Sequence, residues 1–194
     1  GSQAGESNTS GERNCALGYR ALYWNQTHSY QTAVGHLALN TSRGDGNTAV
    51  GASAGISLTS GQHNVILGAL TLDALTTGHY CTAIGTYSLT DNTSSEMTAL
   101  GYKSLFKNTS GNYSTALGSY ALYSNVTGNS NTAGGYKSLY YNTASGNTAY
   151  GAESLKANTS GQHNSAFGSG ALGFNDGSGL GGEAGPGSHP PGRK

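Results

Sequence analysis

A fixed short period runs through nearly the whole chain. A chain built this way folds as a linear stack of like units rather than around one closed core. Ten copies of a 16- or 17-residue unit begin at Asn14, Gln31, Asn47, Asn64, Cys81, Met97, Ser114, Asn131, Asn147 and Asn164. The fullest copies read Asn-Thr-Ala-x-Gly-x-x-(Ser/Ala)-Leu-x-x-Asn-Thr-Ser-Gly. Start-to-start spacings are 17, 16, 17, 17, 16, 17, 17, 16 and 17, so three copies sum to 50 residues; Gly-Gln-His-Asn at 61–64 returns at 161–164.

Numbering each copy from its first residue, position 5 is glycine throughout: Gly18, Gly35, Gly51, Gly68, Gly85, Gly101, Gly118, Gly135, Gly151 and Gly168. Position 3 is alanine except for Ile66, and position 9 is leucine except for Gly55. Position 4 is large and apolar except for Gly134. A 3.6-residue period does not fit these sites, and a glycine in every copy weakens a helix. Short Thr-Ala-Val-Gly pieces bounded by Asn-Thr-Ser-Gly read as strands and turns.

The expected fold is all-β: a parallel β-solenoid, or β-roll, of about ten coils with one coil per repeat. A coil of this length has room for two strands of four or five residues and two turns. Coils stacked at roughly 4.8 Å give a rod on the order of 48 Å long. Position 5 is the structural glycine of a corner or of a close backbone approach. Asparagine at position 12 (Asn25, Asn92, Asn108, Asn125, Asn142, Asn158 and Asn175) is expected to form an amide ladder. The 16-residue copies that begin at Cys81 and Asn131 are expected to lose their residue in the turn that follows, where deletions are best tolerated. The solenoid is placed at 8–175 and a flexible Gly/Pro-rich tail at 176–194. Residues 8–11 match the turn of a preceding copy, so the array is expected to extend upstream; Gly1-Ser2 resembles a cloning remnant.

Positions 2 and 4 of the first strand point to one side, positions 3 and 5 to the other. If position 4 joins Leu at position 9 inside, the Ala/Gly face is outside, and its constancy suggests close packing against other chains. The reverse orientation makes a thin roll with alanine inside and leaves an apolar row outside that also needs a cover. Both orientations favour an oligomer.

Only 9% of residues are charged and the formal net charge is zero. That argues against nucleic acid and anionic membranes as partners, since both select a basic stripe. No apolar run approaches the length of a membrane span, so no membrane insertion is expected.

Asn-Thr-Ala-Val-Gly at 47–51 and Thr82-Ala83-Ile84-Gly85 resemble the head repeats of trimeric autotransporter adhesins. The fuller pattern, with leucine at position 9 and the Asn-Thr-Ser-Gly turn, is similar to repeats of phage tail fibres and of the trimeric adhesive fibres of predatory bacteria. The resemblance covers roughly residues 8–175. It implies three chains to a rod, on an extracellular, cell-surface or virion fibre; a homotrimer with the Ala/Gly face packed at or near the shared axis is the expectation.

The residues for an enzyme are poor, and no catalytic, cofactor or metal site is expected. The acids are scattered: Asp45 and Asp91 fall about three coils apart, too far for a carboxylate pair. His63 and His79 lie in adjacent coils near one turn, the closest approach to a metal-binding pair. Cys15 and Cys81 are four coils apart, roughly 19 Å, which excludes a bridge between them; buried free thiols are expected. Asn-x-Ser/Thr occurs at Asn8, Asn25, Asn40, Asn92, Asn108, Asn112, Asn125 and Asn158, where duplicated turn chemistry explains it better than glycosylation.

Thirteen tyrosines stand against one tryptophan and three phenylalanines. Tyr19, Tyr102 and Tyr136 share position 6. Tyr23, Tyr123 and Tyr140 share position 10, in the same row as Phe106. Rows of amphipathic rings suit sugar stacking and lateral protein contact, so these six tyrosines are the candidate ligand-binding residues. The expectation is a structural and adhesive fibre segment that holds a surface glycan or protein receptor by many weak contacts. The alternatives are an ice-binding β-solenoid, suggested by threonine rows at positions 2 and 13, and a purely structural stalk with recognition elsewhere.

Overall fold

The computed structural model describes residues 1–175, which form a right-through stack of coils with no helix among them. Each repeat supplies one three-residue strand: β1 (Cys15–Leu17), β2 (Thr32–Val34), β3 (Thr48–Val50), β4 (Val65–Leu67), β5 (Thr82–Ile84), β6 (Thr98–Leu100), β7 (Thr115–Leu117), β8 (Thr132–Gly134), β9 (Thr148–Tyr150) and β10 (Ser165–Phe167). They make one parallel sheet in strict chain order. Register is by repeat position, as in Thr98↔Thr115, Ala99↔Ala116 and Leu100↔Leu117. Coil n below is the repeat that carries strand n. The expected tail at 176–194 lies outside the described residues.

The second strand expected in each coil is absent, and the backbone gives the reason. Positions 5, 7 and 9 all take positive φ, as in coil 6 with Gly101 at 135°, Lys103 at 53° and Leu105 at 49°. β-structure needs negative φ, so the strand stops at position 4 and turns follow. Position 8 N–H donates to position 5 C=O (Ser104 to Gly101, 3.3 Å), and position 12 N–H to position 9 C=O (Asn108 to Leu105, 3.3 Å). Alternate amides instead reach neighbouring coils. Lys103 N–H donates back to Thr86 C=O at 3.2 Å, and Leu105 N–H donates forward to Ala121 C=O at 3.0 Å. The whole circumference is thus laddered although only three residues per coil are strand. Residues 1–7 join the same ladders, with Gly5 N–H donating to Ala21 C=O at 2.9 Å, so the solenoid's contacts begin before residue 8.

The interior is thin. It holds alanine at position 3, small residues at position 8 and leucine at position 9, as in Ala116, Ala121 and Leu122 of coil 7. The eight core leucines at position 9 sit at φ between 46° and 54° and are fully buried. A left-handed residue costs roughly 1–2 kcal/mol, which the roughly 1.5–3 kcal/mol from burying a leucine offsets. Ala116 is 0% exposed and Leu100 is 47% exposed. The alanine face therefore points into the chain's own core, and the expectation that it packs three chains around an axis is overturned. So short a coil leaves no room for the larger position 4 side chains inside, and they line the outer face with position 2.

Two exceptions to the pattern turn out to be neighbours. Gly55 replaces leucine at position 9 of coil 3, and Ile66 replaces alanine at position 3 of coil 4. A Cβ on Gly55 would lie 2.7 Å from Ile66 Cδ1, so the isoleucine fills the volume the missing leucine leaves. Gly134 and Tyr150 are a second such pair. A Cβ on Gly134 would lie 2.4 Å from the Tyr150 ring, which covers the glycine and stacks on Phe167 at 5.8 Å.

The amide ladder forms from Asn92 to Asn158, whereas Asn25, cut off by Ser42, Leu58 and Leu75 at the same position of the next coils, bonds within its own turn to His28. Asn108 Nδ2 donates to Asn92 Oδ1 (2.7 Å), Asn125 to Asn108 (3.2 Å), Asn142 to Asn125 (3.2 Å) and Asn158 to Asn142 (2.8 Å). Position 1 asparagines build a second column: Asn64 N–H and Nδ2 both donate to Asn47 Oδ1, at 3.0 and 3.1 Å. These buried amides satisfy turn carbonyls that would otherwise be left dry. The ladder also locates the shortened turns. In 17-residue coils the side chain bridges to the carbonyl three residues on (Asn108 to Gly111, Asn125 to Gly128). In 16-residue coils it bridges to the carbonyl two residues on (Asn92 to Ser94, Asn142 to Ala144). One residue is lost within this bridge, and strand register is untouched. One of the two columns turns apolar at a time in coils 3 to 6, position 12 through Leu58 and Leu75 and then position 1 through Cys81 and Met97, all buried.

Candidate functional site

Positions 8 and 9 point inward, so positions 6, 7, 10 and 11 on the flanking turns project to one outer side. Parallel, in-register stacking brings like positions on successive coils together. At position 10, Phe106 stacks on Tyr123 with ring centroids 5.4 Å apart and planes 4° apart, and Tyr123 stacks on Tyr140 at 5.0 Å and 7°. Beside this column runs a second one in which rings alternate between positions 7 and 6. Tyr87 meets Tyr102 at 6.2 Å and 77°, Tyr102 meets Tyr120 at 5.4 Å and 84°, and Tyr120 meets Tyr136 at 6.3 Å and 87°. Tyr140 also meets Tyr141 edge-on at 4.6 Å. The result is one continuous aromatic surface over coils 5 to 8.

Lysines are threaded through it. Lys103 Nζ lies over Tyr87, Tyr102 and Phe106 at 5.6, 5.4 and 5.3 Å, Lys107 over Tyr123 at 5.4 Å, and Lys137 over Tyr136 and Tyr140 at 5.0 and 5.8 Å. These distances suit cation–π attraction. Hydrogen bonds to the Tyr102 and Tyr136 side chains hold the Lys103 and Lys137 ammonium groups above the usual lysine range. Burial against its neighbours is the main cause raising the Tyr140 hydroxyl. The only salt bridge among the described residues is Lys156–Glu153 at 2.8 Å. The charges are segregated along the rod: residues 44–96 carry Asp45, Asp73, Asp91 and Glu96 with no lysine or arginine, whereas 97–152 carry Lys103, Lys107 and Lys137 with no acid.

The six candidate tyrosines fall into two groups. Tyr102, Tyr123, Tyr136 and Tyr140 belong to this surface. Tyr19 and Tyr23 stand apart on coil 1, where Arg20 lies over both rings at 5.3 and 5.0 Å and Trp24 meets Tyr23 edge-on. On the coils between, position 6 is filled by His36, Ala52, Ala69 and Thr86. Composition by row missed Tyr87, Tyr120, Tyr141 and the three lysines. The signal that could have found them is Gly-Tyr-Lys-Ser-Leu, repeated verbatim at 101–105 and 135–139. A shallow depression of about 320 Å³ adjoins the surface, lined by Tyr141, Glu153, Lys156 and Phe174 among others.

The other candidates resolve individually. His63 stacks on Tyr80 at 5.6 Å, and His79 Nδ1 accepts the Gln62 N–H at 3.1 Å. No group of three or more metal-binding side chains occurs among the described residues, and no helix there is long and apolar enough to cross a membrane. Of the eight Asn-x-Ser/Thr asparagines, Asn25, Asn92, Asn108, Asn125 and Asn158 are buried, with Nδ2 donated to turn carbonyls. They are turn chemistry, closed to a glycosyltransferase.

Both cysteines are free, but Cys15 is exposed in the position 2 row, not buried as expected. Burial pushes the Cys81 thiol up to about 11. Ellman's reagent should therefore label one thiol per folded chain at neutral pH and the second only after unfolding. The unfolded Cys81 ionises near 9, so its raised folded value stabilises the fold fully below that pH. The contribution is lost as pH rises from 9 to about 11. Rapid labelling of both thiols in the folded state would contradict the burial.

No protein-family model, curated protein or solved structure matches the chain.

Proposed function

We propose that the chain is a rigid segment of a structural and adhesive fibre, displayed outside the cell or on a virion, in which three chains lie side by side. The observation that carries this is the uncovered outer face of the sheet. Position 4 sets Leu17, Val50, Leu100, Leu117, Tyr150 and Phe167 in one exposed line, beside a position 2 row of mostly threonine. Nine strand intervals make this strip roughly 43 Å long. An apolar strip of that kind facing water calls for a cover. Identical copies supply a matching strip in the same register, and closed symmetry ends the assembly after a fixed number of chains. The aromatic columns lie on the flanking turns and stay outside such a contact, open to a surface glycan or protein receptor. Each contact is weak, and repetition along and around the rod supplies avidity.

Light scattering should give a particle of about three times 19.6 kDa. Leu100→Asp should lower that mass while leaving the circular dichroism of the chain unchanged, because Leu100 is outside the core. A mass of 19.6 kDa for the unaltered chain at micromolar concentration would rule out the assembly. A glycan array tests adhesion separately, and loss of binding on removal of Tyr102, Tyr123, Tyr136 and Tyr140 would place it on the aromatic surface.

A further inference from the structure

We infer that coils 6 to 8 form a binding track for an anionic polysaccharide laid along the rod, with successive acid-bearing sugar units at Tyr102–Lys103 and Tyr136–Lys137. This rests on the adhesive role proposed above and gives its ligand a chemistry.

The track is periodic. Gly-Tyr-Lys-Ser-Leu occurs unchanged on coils 6 and 8, and the register places the two Tyr–Lys pairs at equivalent points. Two coils separate them by on the order of 10 Å, about the length of two linked pyranose rings. A polymer with an acid on every second sugar therefore meets the same pair twice. Tyr102 and Tyr136 are 39% and 47% exposed, the most open rings of their column. Tyr120 contacts both at near right angles and fixes them in place. Aromatic rings of this kind take the apolar face of a sugar, while their hydroxyls reach its polar edge.

Charge selects the acid. Lys103 and Lys137 make no salt bridge among the described residues, and no acid occurs between Glu96 and Glu153. Glu153 acts on Lys137 through space, but its direct partner is Lys156 at 2.8 Å. Each lysine is instead parked over ring faces, ready to turn to an arriving carboxylate or sulfate. A neutral sugar would leave both ammonium groups unused. Single-stranded nucleic acid carries a charge on every nucleotide and selects a longer run of cations than coils 6 to 8 offer. Three lysines on a chain of zero net charge also make a weak phosphate track.

The test uses the whole chain with hyaluronan, polygalacturonate and heparin fragments as probes, against neutral dextran and oligothymidylate. At least one anionic polysaccharide should bind, with dextran and oligothymidylate weaker by about tenfold or more, and binding should fall as salt rises. Lys103→Gln/Lys137→Gln should lose about tenfold in affinity, as should Tyr102→Ala/Tyr136→Ala; Arg43→Gln, on coil 2, should lose none. All these residues are outside the core, and unchanged circular dichroism verifies the fold. Equal binding of dextran or oligothymidylate, indifference to the lysine pair, or no binding of any anionic polymer would overturn the inference. If that happens while the trimer and glycan-array binding persist, the inference fails alone; if array binding is absent too, the adhesive role fails with it.

Discussion

Gly101→Ala should unfold the centre of the rod, whereas Gly168→Ala should be tolerated with a modest loss. Both glycines occupy position 5 with positive φ, 135° and 116°, and each alanine would carry conformational strain of about 1–3 kcal/mol. Their surroundings differ. A Cβ on Gly101 would lie 2.6 Å from the Gly118 carbonyl carbon, and that obstacle is backbone. A Cβ on Gly168 meets nothing within 4 Å, because no further described coil lies above it. At Gly101 the coils must part, which breaks the ladder bonds there, including Gly118 N–H to Leu100 C=O at 2.7 Å. The loss should exceed that at Gly168 by about 2 kcal/mol or more, since breaking a buried polar network adds to the strain. Denaturant midpoints at constant m check this. Equal losses would mean that position 5 is glycine for its φ alone.

The second large effect is expected at the exchanged pair in the core. Ile66→Ala leaves a hole beside Gly55 and should cost about 2–5 kcal/mol. Gly55→Leu alone drives a side chain into Ile66 Cδ1 and Leu39 Cδ2, 2.7 and 3.1 Å from its Cβ, and should cost about 1–3 kcal/mol. The double substitution restores the leucine and alanine of the other coils. Gly55 has φ of 60°, close to the 46° of Leu39 and 54° of Leu72, so the backbone already accepts leucine. The double variant should come within about 1 kcal/mol of the original, a strong departure from additivity. Simple addition of the two losses would disprove the exchange.

The features legible in the sequence were those that repeat at one position. The glycine register, the asparagine ladder and the shortened turns needed only alignment of the copies. Strand content was misjudged because nothing in Lys103 or Leu105 announces a left-handed backbone; residue type signals that conformation mainly for glycine and asparagine. The direction of the alanine face was also hidden. Constancy of Ala99 and Ala116 is equally compatible with a thin private core and with a shared axis, and only the three-dimensional width of the coil decides. Gly55 and Ile66 were each visible as exceptions, but their kinship required knowing that position 9 of one coil abuts position 3 of the next. The aromatic surface was half visible for the same reason. Tyr102 and Tyr136 share a row, whereas Tyr87 and Tyr120 enter the column from the neighbouring position.

The shortened turn bears on how such a rod changes length over evolutionary time. The short coils fall at every third place, and in coils 5 and 8 the lost residue is accommodated inside the Asn bridge without disturbing strand register. A block of three coils, 50 residues of sequence, therefore shares its register with any other block of the same phase. Unequal recombination between two such blocks would insert or remove whole segments of roughly 14 Å, with strand register kept at both junctions. Length in such a solenoid is quantised: its natural increment is the three-coil block, and any feature carried once per block is spaced by the same ruler.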